Sequence, residues 1–524
     1  VSCAARSMGS VIQVVPGGAG GSASYRVVLG RAARAVRGRL GAETASVPHR
    51  TRPRLLPVSS SVDDVLAAHG VHVRPLHQVI SLLRTDWRDL GELVRVSTAP
   101  RRSVEDVLNA LGDDLERNES RFRLAPATRE KYARFGARDR KSDPDVLKTI
   151  TSYVENVPAP LAALDHVQAT PETVLNRALW LDERYDLGTA KLLFLGDHDL
   201  TSLAVRALRP DADLTVVDLD DRVLSYIDEL SERSIRTLHT DLRVGLPPSV
   251  TGRMDLVFSD PPYTPEGMGL FAARGVQALA EPSDGRLLLA YGYSPRHPAL
   301  GAQVQRALAT LGLTFEAILP DFNRYFGAQA IGSAADLYVC QPTAKSKKNR
   351  GGKGKAAIYT HGPQSVESAG AAKPSLLDKL HEIATEGGLA LESRPVDWSV
   401  SGPEGDAVAM DLSADPGPWL LRTLLGTNAR RLALLVPNSH PDLTNAEAQG
   451  ALNRLVGAKY RLRLLRSTPD NRHAIVVADA VEHQEELLTR AHARLANVSL
   501  DVPPELTDAR LIDLPRHRLA ELLG

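Results

Sequence analysis

The sequence predicts an α/β protein built round a mostly parallel seven-stranded sheet, with a helical domain ahead of the sheet and a smaller α/β region behind it. Three observations carry that expectation. From Lys191 onward, short unbroken apolar runs alternate with helical stretches, the pattern of parallel strands covered on both faces. The first four runs end at an aspartate or two residues before one. The last two runs are joined by a loop rather than a long helix, which predicts a closing hairpin.

Taken in order, the strands are "KLLFL" (191–195), "LTVVD" (214–218), "IRTLHTD" (235–241), "MDLVFSD" (254–260), "RLLLAYG" (286–292), "TFEAILP" (314–320) and "ADLYVCQ" (335–341), with helices such as Val223 to Leu230 and Val304 to Leu311 between them. Five strands with crossovers and then a hairpin match the Rossmann-like sheet of S-adenosylmethionine-dependent transferases. Ahead of it, Val62, Val65 and Leu66, then Leu76, Val79, Ile80 and Leu83, recur at helical spacing. "DLGELVRVSTAPRRSVEDVLNALG" reads as helix, turn, helix, and "ESRFRLAP" as a short strand pair. That order predicts a winged helix. Its arginines would meet phosphates in a DNA reader, but Glu105, Asp106, Asp113, Asp114 and Glu116 are interleaved with them, so a protein contact is an equal expectation.

The expected organisation is a disordered leader (1–58), a winged-helix-like domain (59–142), a Rossmann-like catalytic domain (143–342), a basic flexible linker (343–374) and a C-terminal α/β accessory domain (375–524). The first 42 residues contain no Asp or Glu, a bias shared by organellar targeting peptides. The linker "TAKSKKNRGGKGKAA" reads as a solvated tether. "AVAMDLS", "RLALLVP" and "HAIVVAD" are the strands expected in the C-terminal region, which shows no catalytic constellation.

Lys plus Arg and Asp plus Glu balance at 63 each, so global charge makes no case for nucleic acid. Two cysteines, Cys3 and Cys340, argue against a disulfide framework or a thiolate metal site, and no metal is expected. Reducing cytoplasm is the expected compartment, and no apolar run approaches a membrane span.

The acids form a pattern. Asp197 and Asp199 follow the first strand, Asp218 and Asp220 the second, Asp241 the third and Asp260 the fourth, with Glu266 just beyond. Parallel strands would bring all seven to one rim, where they repel one another unless cations offset them. Asp218 is placed to take ribose hydroxyls, Asp241 an adenine amine, and Gly196 allows close backbone approach. The first turn, Gly196-Asp197-His198-Asp199, has one glycine and two acids. Two carboxylates there would repel the carboxylate of S-adenosylmethionine and attract the ammonium of its decarboxylated form. The remaining acids would serve a polyamine. In "LVFSDPPYTPEG" (256–267) two prolines end the strand and stiffen the turn after Asp260. A plain strand terminus explains them as well, until the surrounding acids are considered.

The Gly-Asp-x-Asp turn, the Asp-Pro-Pro-Tyr-Thr run at 260–264 and the stretch "DHVQATPETVLNRALWLDERYDL" (165–187) resemble the branched-chain polyamine synthases, the N(4)-bis(aminopropyl)spermidine synthases, over about residues 60–342. The resemblance implies aminopropyl transfer from decarboxylated S-adenosylmethionine to a secondary amine of a polyamine such as spermidine. It implies Asp260 as proton acceptor and Tyr263 as a wall at the sulfonium. Gly196, Asp197, Asp218 and Asp241 would hold the nucleoside co-substrate, and His198, Asp199, Asp220, Thr264 and Glu266 the polyamine. His198 departs from the family's archaeal members, which typically carry a third aspartate there. It is a proton relay, a weakly charged substitute or a turn residue without a role. A homodimer is a further expectation. Two alternatives stand beside this reading. One is an S-adenosylmethionine methyltransferase acting on an exocyclic amine of nucleic acid, not favoured by an acidic rim. The other is a non-catalytic winged-helix sensor of polyamines.

Overall fold

The computed structural model describes residues 61–135, 144–346, 357–359, 365, 372–398, 405–499 and 501–524. The expected leader and most of the basic stretch lie outside them.

Residues 61–135 form α1 (Val62–Ala67), α2 (Arg74–Thr85), β1 (Arg88–Asp89), α3 (Leu90–Ser97), α4 (Arg101–Leu111), β2 (Leu115–Asn118) and β3 (Arg121–Leu124), with the strands paired in the order β1-β3-β2. Side chains at helical spacing close a separate small core: Leu76, Val79, Ile80 and Leu83 from α2 meet Leu93 from α3 and Val104 and Val107 from α4.

Two helices lead into the large sheet, α5 (Pro144–Asn156) and α6 (Pro171–Arg184). Then follow β4 (Lys191–Leu195), α7 (Thr201–Leu208), β5 (Asp213–Asp218), α8 (Asp221–Leu230), β6 (Arg236–His239), β7 (Leu256–Ser259), α9 (Pro265–Ala278), β8 (Arg286–Tyr291), α10 (Pro298–Leu311), β9 (Leu313–Arg324) and β10 (Ala334–Pro342). The spatial order is β6-β5-β4-β7-β8-β10-β9; β10 runs antiparallel to both of its neighbours and the other pairings are parallel. The seven expected strands are all present. Alternation along β4 shows why its run is unbroken: Leu192 and Phe194 join one core, Leu193 and Leu195 the core on the opposite face. The chain leaves β4 outward to β5 and β6, then returns to β7 on the other side. The crevice between the carboxyl ends of β4 and β7 is therefore the topological switch point, where open α/β sheets hold ligands.

The C-terminal region contains α11 (Pro374–Ala384), β11 (Leu391–Ser393), β12 (Gly405–Asp411), α12 (Trp419–Gly426), β13 (Ala429–Pro437), α13 (Ala446–Val456), β14 (Tyr460–Leu465), β15 (His473–Ala480), α14 (Glu486–Thr489) and α15 (Arg516–Leu523). Its sheet order is β11-β12-β13-β15-β14. One of its faces shares a continuous apolar core with the large sheet, in which Leu420, Leu424 and Leu432 lie in the same cluster as Val257, Leu287 and Met268. Among the described residues no helix is long and apolar enough to cross a membrane.

Candidate active site

A cavity of about 600 Å3 opens at the switch point, within the range of small-molecule sites. Among the described residues, its lining carries six aspartates (Asp165, Asp197, Asp199, Asp218, Asp241 and Asp260) and one arginine, Arg177. Of the seven acids expected on the rim, five line it. Asp220 instead caps α8, accepting from the Arg222 N–H at 3.0 Å. Glu266 is exposed in the first turn of α9. Thr264 caps α9 through the Gly267 N–H at 2.9 Å and donates to the Ile358 carbonyl at 2.6 Å. These three do not line the cavity.

The turn after β4 is set by Gly196, whose φ of +71° is left-handed and favours glycine. Asp197 then folds back onto the start of α7: its carboxylate accepts from the Thr201 N–H at 2.9 Å and the Ser202 N–H at 3.1 Å. Burial pushes its carboxyl up to about 8, against those helix donors, with Asp199 and Asp218 adding to the rise. Asp199 accepts from the Ala169 N–H at 2.7 Å and from Arg177 Nη1 at 2.8 Å. His198 also lines the cavity, beside His166. Its Nε2 lies 3.1 Å from the Pro158 carbonyl and its ring 4.6 Å from that of His166. Burial holds both imidazoles low, His166 at about 3, so both are neutral near pH 7.

Asp218 ends β5. Its Oδ1 accepts from the Asp220 N–H at 2.8 Å and its Oδ2 from the Asp197 N–H at 2.9 Å. Each oxygen keeps a lone pair for a ribose hydroxyl, and burial pushes the carboxyl up to about 6. Asp241 is differently engaged. Arg243 donates to it through Nη2 at 2.6 Å and through Nε and its backbone N–H, and Trp419 Nε1 adds a contact at 3.0 Å. Burial raises its carboxyl, but Arg243 outweighs burial and the net shift is downward.

Asp260 sits just beyond β7, held between buried Pro261 and its own strand. Its Oδ2 accepts from Arg177 Nη2 at 2.6 Å and from the Tyr325 hydroxyl at 2.7 Å. Its Oδ1 accepts from the Tyr263 hydroxyl at 2.9 Å. Three of about four lone-pair sites are thus taken, and the side chain is 17% exposed, which leaves Oδ1 able to meet one more donor. Burial pushes the carboxyl up to about 6 although Arg177 and Tyr325 pull it down. Tyr263 and Tyr325 lie 2.9 Å apart through their hydroxyls.

Four residues of the site were not singled out from the sequence. Arg177, on α6, has no exposed side-chain surface and also donates to Asn323 Oδ1 at 2.7 Å. Its signal was an arginine on the buried stripe formed by Val174, Ala178 and Leu181. Tyr325 comes from the end of the long edge strand β9. Ile358 and Tyr359 are buried against Leu164, close to α9: a Cβ on Gly267 would come within 2.8 Å of the Ile358 carbonyl. Among the described residues no group of three or more His, Cys, Asp or Glu side chains is arranged to hold a metal.

Sheet order and switch-point cavity define a Rossmann-like α/β domain with the methyltransferase-type sheet. Within that class, residues 145–350 match the branched-chain polyamine synthase A C-terminal domain. An uncharacterized Methanocaldococcus jannaschii protein is 34% identical over 207 residues, 39% of this chain and 51% of that one. The N(4)-bis(aminopropyl)spermidine synthase of the same organism is 28% identical over 278 residues, covering 49% and 78%. The Thermus thermophilus N(4)-bis(aminopropyl)spermidine synthase is 28% identical over 232 residues, covering 41% and 67%. The chain thus spans about half the length of the first of these relatives. Among solved structures, the Thermus thermophilus branched-chain polyamine synthase, in complex with N4-aminopropylspermidine and 5'-methylthioadenosine, is 20% identical with a TM-score of 0.34, covering 56% of this chain and 92% of that one. A TehB-like S-adenosylmethionine-dependent methyltransferase from Corynebacterium glutamicum has 20% identity and a TM-score of 0.26, covering 38% and 100%.

Proposed function

We propose that this protein transfers aminopropyl groups from decarboxylated S-adenosylmethionine to a secondary amine of a polyamine such as spermidine. The observation that carries the proposal is the set round Asp260: a carboxylate at the switch point, oriented by Arg177, Tyr263 and Tyr325, in a cavity lined by six aspartates and one arginine. An excess of carboxylates suits a ligand carrying several ammonium groups, each of which needs a counter-charge when it leaves water.

In this reading the acceptor nitrogen attacks the aminopropyl carbon bonded to sulfonium. The carbon–sulfur bond breaks, its electron pair stays on sulfur, and methylthioadenosine leaves. The proton lost from the acceptor nitrogen passes to Asp260 Oδ1. A carboxyl pushed up to about 6 is a better proton acceptor than an ordinary one and is still ionised at pH 7. Asp218 takes the ribose. The turn after β4 supports the decarboxylated donor. Five of its N–H groups are already engaged inside the protein: Gly196 with Val217, Asp197 with Asp218, Leu200 with Asp197, and Thr201 and Ser202 with the Asp197 carboxylate. These donors are not open to a methionine carboxylate.

We read residues 61–135 as a winged helix, supported by the helix order and the β2–β3 hairpin. The test of the function is to incubate the protein with decarboxylated S-adenosylmethionine and a set of polyamines, then identify products by mass spectrometry. Aminopropylated, branched products that vanish with Asp260→Asn are expected. Products absent with every polyamine, or unaffected by that substitution, would remove the proposal.

A further inference from the structure

The C-terminal region extends beyond the family match at 145–350, yet it reaches the nucleoside end of the cavity. Trp419, at the start of α12, donates its indole N–H to Asp241 Oδ2 at 3.0 Å. The Arg243 guanidinium, which grips the same carboxylate, lies 4.9 Å from the Trp419 ring and 5.4 Å from the Tyr359 ring. Three distant segments therefore meet at one guanidinium: the loop after β6, residues 357–359, and α12. Asp241 and Tyr359 line the cavity, whereas Trp419 does not.

The knot is rigidly seated. The Trp419 backbone N–H donates to Asp415 Oδ1 at 2.9 Å, and Asp415 Oδ2 is met by the Leu420 N–H at 2.8 Å and by His440 Nε2 at 3.0 Å. Further along α12, Arg422 is fully buried and donates to Asp221 in α8 at 3.0 Å. A tryptophan with its position fixed at both ends, set on a buried carboxylate and a stacked arginine, can hold the loop that carries Asp241 and Leu242. With the side chain of Asp241 only 1% exposed and met by donors on both oxygens, this carboxylate acts as a strut for the cavity wall.

We infer that Trp419 is a positioning residue for nucleoside binding: it acts through Asp241 and Arg243 to hold the wall formed by Leu242 and Tyr359. The inference rests on the aminopropyl-transfer reading for the identity of the nucleoside. It assigns the C-terminal region a part in co-substrate affinity and none in the chemical step.

The test is calorimetric binding of methylthioadenosine to the full chain, beside turnover with both substrates varied. Trp419→Phe keeps a ring over Arg243 and removes the N–H. It should weaken methylthioadenosine about five-fold or more, the scale of one hydrogen bond. Trp419→Ala should weaken it further. In both, kcat at saturating donor and the KM for polyamine should stay within about two-fold of the parent. Should Trp419→Ala fail to fold, the Phe variant decides alone. Parent-like affinity in a folded Trp419→Phe would overturn the inference, and so would an equal loss in kcat and in both KM values. A parent that does not bind methylthioadenosine would instead remove the aminopropyl-transfer reading, and this inference with it.

Discussion

Arg177 holds Asp260 at 2.6 Å with one arm of its guanidinium and Asp199 at 2.8 Å with the other. The two acids come from the turns after adjacent strands, β7 and β4, and the arginine from α6, 83 positions before Asp260. The guanidinium is wholly buried, and although burial alone would lower its pKa, Asp199, Tyr325 and Asp260 together hold it well above its ordinary value. Its charge is therefore permanent. It offsets part of the repulsion between the acids and fixes the direction in which Asp260 presents Oδ1.

Removing that charge strands two buried carboxylates. Arg177→Met should lower the unfolding free energy by about 3–5 kcal/mol, the usual cost of breaking a buried pair from one side. Arg177→Lys keeps a charge but not the fork geometry that reaches both acids, so it should fold better than the Met variant and still turn over poorly. Chemical denaturation and steady-state rates measure both effects. Parent-like stability in Arg177→Met would mean that the acids are offset by other groups.

How much of this could be read in the sequence follows the same division. The central strands β4, β5, β7 and β8 were legible because they are largely apolar, as burial on both faces demands, and the acids at or just beyond the ends of β4, β5 and β7 mark the sheet's carboxyl edge. Arg177 was not, because α6 is recognised by its apolar stripe and an arginine within that stripe looks like an interruption. Tyr325, Ile358 and Tyr359 reach the cavity from an edge strand and from a segment beyond a Gly-rich basic stretch. Nothing local to them reports that they come back to the site. Asp220, Thr264 and Glu266 stand at strand ends in sequence, but the demand for helix caps draws the first two to α8 and α9, and the third faces outward.

The pH profile should report Asp260. A proton acceptor must be ionised in the free enzyme, so kcat/KM should rise with pH through about 6, the position to which burial pushes this carboxyl. The Tyr325 hydroxyl donates to the ionised form and so lowers the pKa. Tyr325→Phe removes that donor, and the acid limb should move to higher pH. An unmoved limb in Tyr325→Phe, with the rate merely reduced, would leave the tyrosine a packing role only.

Asp218 should act in binding and not in chemistry. Each of its oxygens already accepts one backbone N–H and has room for one ribose hydroxyl. Those contacts are equal in ground and transition states. Asp218→Ala should weaken methylthioadenosine roughly ten- to a hundred-fold, the scale of one or two hydrogen bonds to a charge, while kcat at saturating donor changes much less. Calorimetry that finds unchanged affinity would contradict the ribose assignment.

The last prediction separates aminopropyl transfer from methyl transfer. Decarboxylated S-adenosylmethionine should bind more tightly than S-adenosylmethionine, because the two differ by one carboxylate and the turn after β4 has little to offer it. Asp199 is half of an ion pair with Arg177, so its repulsion is weaker than that of a lone acid. Even so, Arg177 is already shared by Asp199 and Asp260, and the turn's N–H groups from Gly196, Asp197 and Leu200 to Ser202 are engaged. A methionine carboxylate would enter a cavity of six aspartates with these donors closed to it. A residual like-charge cost of about 1.4 kcal/mol, well below the ~4 kcal/mol of an unpaired charge at ~4 Å and an effective dielectric near 20, gives about ten-fold discrimination. The preference should shrink as salt is raised to the extent that the repulsion is exposed to solvent, and Asp199→Asn should reduce it by improving S-adenosylmethionine binding. One titration of each ligand in the same buffer is sufficient. Equal or tighter binding of S-adenosylmethionine would sink aminopropyl transfer and favour a methyltransferase.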